Sequence, residues 1–99
     1  MDIKYIKFRF LVDQCIRICI CKINNKRYDD ECTTDEIKNV ILPEMTELKK
    51  IDKMSILPPA NERYITSYAC AFKLWGWNMK KPSSLFRILA KINAEYKRL

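Results

Sequence analysis

Hydrophobic and polar positions alternate along the first part of the chain. Over residues 3–12 (IKYIKFRFLV), Ile6, Phe8, Phe10 and Val12 fall on one side of an extended segment. Over residues 15–23 (CIRICICKI), Ile16, Ile18 and Ile20 fall on one side, with Cys15, Arg17, Cys19 and Cys21 on the other. A period of two in β-branched and aromatic residues predicts strands. Asp13-Gln14 would join them as an antiparallel β-hairpin, although no glycine marks the turn. A helix over 11–23 competes, because Val12, Ile16, Cys19 and Ile23 also share a helical face. Four isoleucines and no alanine favour the strand. Asn24-Asn25-Lys26 reads as a further turn and Lys26-Arg27-Tyr28 as a short third strand, giving a hairpin region over 3–28.

The period changes at Thr33-Thr34-Asp35-Glu36. Thr33 with Glu36 makes a capping box, and Asp35 and Glu36 suit the positive end of a helix dipole. Ile37, Val40, Ile41, Met45 and Leu48 then recur at helical spacing, predicting a helix over 33–51 interrupted near Pro43. Residues 55–59 form a connector ending in Pro58-Pro59. A helix over 60–75 follows, with Ile65, Tyr68, Ala69, Phe72 and Trp75 along one face; Ala71 and Leu74 widen that face, which makes it the helix expected to be most buried. Gly76, the one glycine of the chain, is placed to cap it. Pro82-Ser83-Ser84 opens a last helix over 83–99, with an apolar face of Leu85, Ile88, Leu89, Ile92, Tyr96 and Leu99. The predicted fold is a single small α+β domain over 1–99, an N-terminal antiparallel β-hairpin packed on three to four helices. That element order admits a winged-helix-like arrangement, and the stretch from Tyr68 to Leu89 invites a helix-turn-helix. Its connector is long for that motif, and Phe72 is bulky where a small residue is usual.

Charge changes the picture most. The chain holds 19 Lys and Arg against 12 Asp and Glu, a net +7. Residues 61–99 carry eight bases and two acids, so +6 of that excess lies there; residues 31–60 are net −2. A basic surface of this kind draws anionic partners, most often nucleic acid. Arg87, Lys91 and Arg98 lie along the last helix away from its apolar face, and Lys80 and Lys81 come just before it, which suits phosphate oxygens. Trp77 can stack on a base or fill a partner's pocket; the plainer alternative makes Trp75 and Trp77 core residues.

Other chemistry has less support. Cys15, Cys19 and Cys21 would share one strand face, with Cys32 nearby, but their spacing matches no zinc framework and the chain has no histidine. Half-buried reduced thiols explain them better, and no metal or cofactor is expected. Without histidine a Cys or Ser nucleophile lacks its commonest base. Glu36-Ile37-Lys38 and Glu47-Leu48-Lys49 echo the E-x-K of metal-dependent nucleases, and Asp29, Asp30 and Glu31 with Asp35 and Glu36 could hold a hard cation such as Mg²⁺. On helices those triplets diverge, so the protein is expected not to be an enzyme.

No apolar run approaches the ~20 residues of a membrane span, and Arg9, Asp13 and Arg17 interrupt any signal-peptide core. A cytoplasmic protein without a membrane role is expected. The bias towards Ile, Lys and Asn fits an AT-rich genome such as those of phages and mobile elements. Two functions follow: a small, non-enzymatic, basic protein contacting nucleic acid or a nucleoprotein complex through Trp77, Lys80, Lys81, Arg87, Lys91 and Arg98, or a protein-interaction module. The latter would be an inhibitor, adaptor or immunity-like protein, with a counter-defence role conceivable, seated in an acidic or nucleic-acid-binding groove of a larger protein. Complementary acidic and basic patches also allow a homodimer.

Overall fold

The computed structural model describes residues 3–25, 33–51, 57–77 and 80–99. Helix α1 runs over Ile3–Asn25 and α2 over Thr34–Glu36. A π-helical turn over Ile37–Ile41 leads into α3 at Leu42–Leu48. A 3-10 turn at Ala60–Glu62 precedes α4 at Thr66–Lys73, and α5 spans Ser84–Arg98. Among the described residues there is no strand.

The expected α+β fold, with its N-terminal hairpin and winged-helix option, is therefore corrected: the described residues are all helical. Where two strands were read there is one 23-residue helix. Its buried positions are Phe8, Val12, Cys15, Cys19 and Lys22, at alternating spacings of four and three. That is one stripe of a helix, and no strand can present it. Ile6 and Phe10, which a strand would bury beside Phe8 and Val12, are 51% and 60% exposed. Neither glycine nor proline interrupts 3–25, and helical tertiary packing overrides the β-propensity of the isoleucines. The third strand proposed at Lys26-Arg27-Tyr28 lies outside the described residues.

At Thr33 the capping box forms reciprocally. Glu36 N donates to Thr33 Oγ1 (3.1 Å), and Thr33 N donates to Glu36 Oε1 (2.9 Å). The π-helical turn then meets Pro43, which sits in the first turn of α3. Leu42 N–H bonds back to Ile37 O, five residues away. Pro43 has no N–H to give Asn39 O, and its ring crowds that carbonyl; widening the preceding turn relieves both. The helical register survives well enough for Ile37, Ile41, Met45 and Leu48 to form one buried row.

Helix α1 packs chiefly on α5 and then on α3, and α4 packs on α5 and on the π-helical turn. From α5 come Leu85, Phe86, Ile88, Leu89 and Ile92, all buried. Ser83 caps it, its Oγ accepting from Phe86 N at 3.1 Å. Phe8 stacks on Tyr96 across the α1–α5 seam, ring centroids 5.8 Å apart.

The helix expected over 60–75 begins later and is far less buried than its composition suggests. It buries only Ser67 and Ala71, small residues one turn apart, while Phe72 and Leu74 are 55% and 76% exposed. What fixes it is polar. Thr66 N and Ser67 N donate to the Glu44 carboxylate at 2.6 and 2.7 Å, and Ser67 Oγ donates to it at 2.6 Å. Ile65 N donates to Asn93 Oδ1 at 2.8 Å. A carboxylate from α3 thus caps α4, supplying acceptors that a helix start otherwise lacks.

Two measurements test this architecture. Phe8→Ala should lower unfolding stability by about 3–5 kcal/mol, whereas Phe10→Ala in dilute protein should cost under about 1 kcal/mol; a hairpin with both on one face predicts similar losses. Glu44→Ala should cost about 2 kcal/mol through the stranded donors of Thr66 and Ser67, read as a lower urea midpoint at unchanged m-value.

Candidate nucleic-acid interface

The residues singled out from sequence do not form one surface. Trp77 belongs to the core, at 5% exposure. Gly76 adopts a left-handed backbone, φ +66°, which an L side chain rarely accepts. The chain reverses there, and Trp77 N reaches back to Ala71 O at 3.3 Å. The indole ring lies 5.5 Å from that of Trp75 and 6.1 Å from Phe86, the latter edge-on. Its buried Nε1 has no hydrogen-bond partner among the described residues. A ring so enclosed offers no face to a base.

Arg87 and Lys91 are exposed on α5 and face α1 across a groove. This groove encloses about 430 Å³ and is lined by Gln14, Arg17, Ile18, Ser84, Arg87, Ile88 and Lys91. Among the described residues, three cations and no acid line it. Ile18 and Ile88 make its floor apolar, which lowers the local dielectric and strengthens attraction for an anion. Arg17 was missed because a strand reading scatters it away from α5; only a helical α1 brings it there. Lys80 and Lys81 are exposed in the segment that leads into α5.

Arg98 differs. Its Nη1 lies 3.2 Å from Glu95 Oε1, and the same oxygen takes Lys7 Nζ at 3.5 Å. One carboxylate thus offsets two cations, and the C-terminal end of the stripe is locally compensated. Such exposed pairs add little stability, but they do lower the charge available to a partner.

A second depression lies on the other flank of α5. It encloses about 510 Å³ and is lined by Tyr64, Ile65, Tyr68, Ala69, Phe72, Lys73, Asn93 and Lys97. Tyr64 is 60% exposed. The rings of Tyr68 and Phe72 stack with centroids 6.3 Å apart. Exposed aromatics flanked by lysines make a platform for planar groups. The sequence signal for it was present: Phe72 and Tyr68 are four apart with Lys73 adjacent, but their helix was read as buried.

The remaining candidates dissolve into structural roles. Cys15 and Cys19 are buried in the α1 seam while Cys21 is exposed, so three thiolates do not share a face. Cys32 lies outside the described residues, as do Asp29, Asp30 and Glu31. No metal-binding group of His, Cys, Asp and Glu occurs among the described residues. Glu36 is held in the capping box, and Glu47 pairs with Lys50 at 3.2 Å. The connector between α4 and α5 spans residues 74–83, well beyond the three or four residues of a helix-turn-helix. No helix of the described residues is long and apolar enough to cross a membrane.

The comparisons with known proteins add no family to this geometry. No family model matches the chain, and no curated protein or solved structure matches it either.

Trp77→Phe keeps the ring and deletes the unpaired donor, so it should change stability by less than about 1 kcal/mol, whereas Trp77→Ala should cost about 3–5 kcal/mol. Denaturant titration separates the two. Trp77→Phe should leave any nucleic-acid affinity unchanged.

Proposed function

We propose that this protein is a non-enzymatic nucleic-acid-binding protein that holds phosphates in the α1–α5 groove. The observation that carries this reading is the convergence of Arg17, Arg87 and Lys91 on one groove that no acid among the described residues lines. Arginine forks suit phosphate oxygens bidentately, and lysine adds a point charge. Ser84 and Gln14 add hydrogen-bonding groups at the same level. These are backbone contacts, which position a partner without reading its sequence. The platform of Tyr64, Tyr68 and Phe72 favours unpaired bases, which can stack there while Lys73 and Lys97 meet the strand. Single-stranded or looped nucleic acid is therefore the preferred partner. Of the platform's three rings Tyr64 and Phe72 are exposed, while Tyr68 is half-buried between Phe72 and Phe86 and supports them from beneath.

Fluorescence anisotropy with short labelled oligonucleotides tests the reading. Wild-type protein should bind single strands at low salt and lose affinity steeply as salt rises. Each cation removed in Arg87→Ala and Lys91→Ala should flatten the log–log salt slope by about 0.7. Tyr64→Ala with Phe72→Ala should weaken single-strand binding by about 1–3 kcal/mol per base unstacked and leave duplex binding nearly unchanged. Absence of binding to DNA and RNA at low salt, or affinity indifferent to salt, refutes the proposal and leaves a protein with an acidic surface as the partner.

A further inference from the structure

Helix α1 has a second apolar stripe that the described residues leave exposed. Ile3, Ile6, Phe10 and Ile20 are exposed at 77%, 51%, 60% and 46%. With Asp13 and Arg17 they follow the order 3, 6, 10, 13, 17, 20, alternating by three and four on the side opposite Phe8, Val12, Cys15 and Cys19. That is the spacing of a coiled-coil seam. Between its members lies a hollow of about 300 Å³ lined by Ile6, Arg9, Phe10 and Asp13. Those residues stand at i, i+3, i+4 and i+7, the four corners of a hole that receives one side chain from a facing helix.

We infer that α1 pairs antiparallel with α1 of a second copy, about a two-fold axis passing near Cys15. This register sets Phe10 opposite the partner's Ile20 and seats that isoleucine in the hollow. It also sets Asp13 opposite the partner's Arg17, and symmetry repeats both contacts. Lys49 Nζ already meets Asp13 Oδ1 at 3.0 Å, and a carboxylate has a second oxygen for a guanidinium. Parallel pairing would instead oppose Asp13 to Asp13 and Arg17 to Arg17, which the charges forbid. Along the rims of the antiparallel pair, Lys7 comes nearest the partner's Cys21 and Arg9 the partner's Ile23, while Lys49 and the partner's Arg17 share the Asp13 carboxylate. The self-complementary order of charge is what selects a second copy over an unrelated apolar surface. Arg17 stands on the edge of α1 shared by the seam and the phosphate groove, so it borders both.

Sedimentation equilibrium on nucleic-acid-free protein decides the matter, independently of any oligonucleotide binding. Wild type should approach twice the 11.8 kDa chain mass as concentration rises. Ile20→Glu should stay monomeric with unchanged helical circular dichroism, since Ile20 is exposed. Asp13→Arg alone and Arg17→Asp alone should each weaken association by about tenfold. Mixing those two variants should restore it as a heterodimer, because every seam charge then meets its opposite. The double variant D13R/R17D should also self-associate, whereas a parallel pair would not gain from it. A wild-type mass of 11.8 kDa at the highest soluble concentration overturns the inference, whether or not the stripe then binds anionic phospholipid vesicles. Association untouched by the charge reversals overturns the register.

Discussion

Burial of a single narrow stripe on α1 organises everything else. The helix is about 34 Å long, and it packs on both α5 and α3. Phe8, Val12, Cys15 and Cys19 are fully buried while their neighbours on the opposite side are exposed. Because the stripe repeats every three and four residues, it drifts by only about 20° per heptad on a straight helix, so over its two heptads it keeps facing the packed helices. Its side chains are modest in size: one phenylalanine, one valine and two cysteines. Small residues near the middle let the partner helices approach closely, and the bulky Phe8 fills the end where Tyr96 stacks on it. The two buried thiols are thus placed as compact groups within the stripe.

With that seam fixed, the half of the molecule containing α4 joins the core through Ile65, Ala71 and Trp77 and is positioned by polar contacts. Within α4 itself only Ser67 and Ala71 are buried. Glu44 and Asn93 come from two different helices and satisfy the amides of residues 65–67, where α4 begins. Arg63 adds bonds to Pro58 O (2.7 Å) and Tyr96 O (3.4 Å), tying the preceding turn to the end of α5. Unsatisfied amides at a helix start cost more than the same bonds gain when made, so the position of α4 is dictated by where acceptors stand. That arrangement frees Tyr64, Phe72 and Leu74 from core duty, which is why they can face solvent.

The same two features explain what was legible in the sequence. Helix α5 was readable because its apolar positions form one wide face with polar residues opposite, and Ser83 is a strong local cap. The Thr33 capping box was equally plain, since all of its partners lie within four residues. Helix α1 was misread for a definite reason. It carries two apolar stripes on opposite sides, 8-12-15-19 within and 6-10-20 without. Superimposed along the chain they place Ile6, Phe8, Phe10 and Val12 at alternate positions and mimic a strand. A one-sided amphipathic helix would not produce that overlap. The Glu44 cap joins residues 22 and 23 apart in sequence, so no local pattern announces it. Trp77 misled in the same way: its proximity to Lys80 in sequence carries no information about a ring turned inward by Gly76. Arg17 could be assigned to the groove only once α1 was known to be helical.

Helix α5 then carries two duties along one length, and its charges divide accordingly. Towards its C-terminus, Glu95 gathers Lys7 and Arg98 and links α5 to α1; cations there also complement the negative end of the helix dipole. Towards its N-terminus no carboxylate among the described residues lines the groove, and the positive end of the dipole adds to Arg87 and Lys91 rather than offsetting them. The net charge of this region is consequently less evenly spread than a count of Lys and Arg implies. Arg87 and Lys91 stand on the first two turns of α5, beside the apolar Ile18 and Ile88 of the groove. A flexible basic tail of equal charge would spend conformational entropy on ordering as it bound; here folding has already fixed the backbone from which Arg87 and Lys91 project.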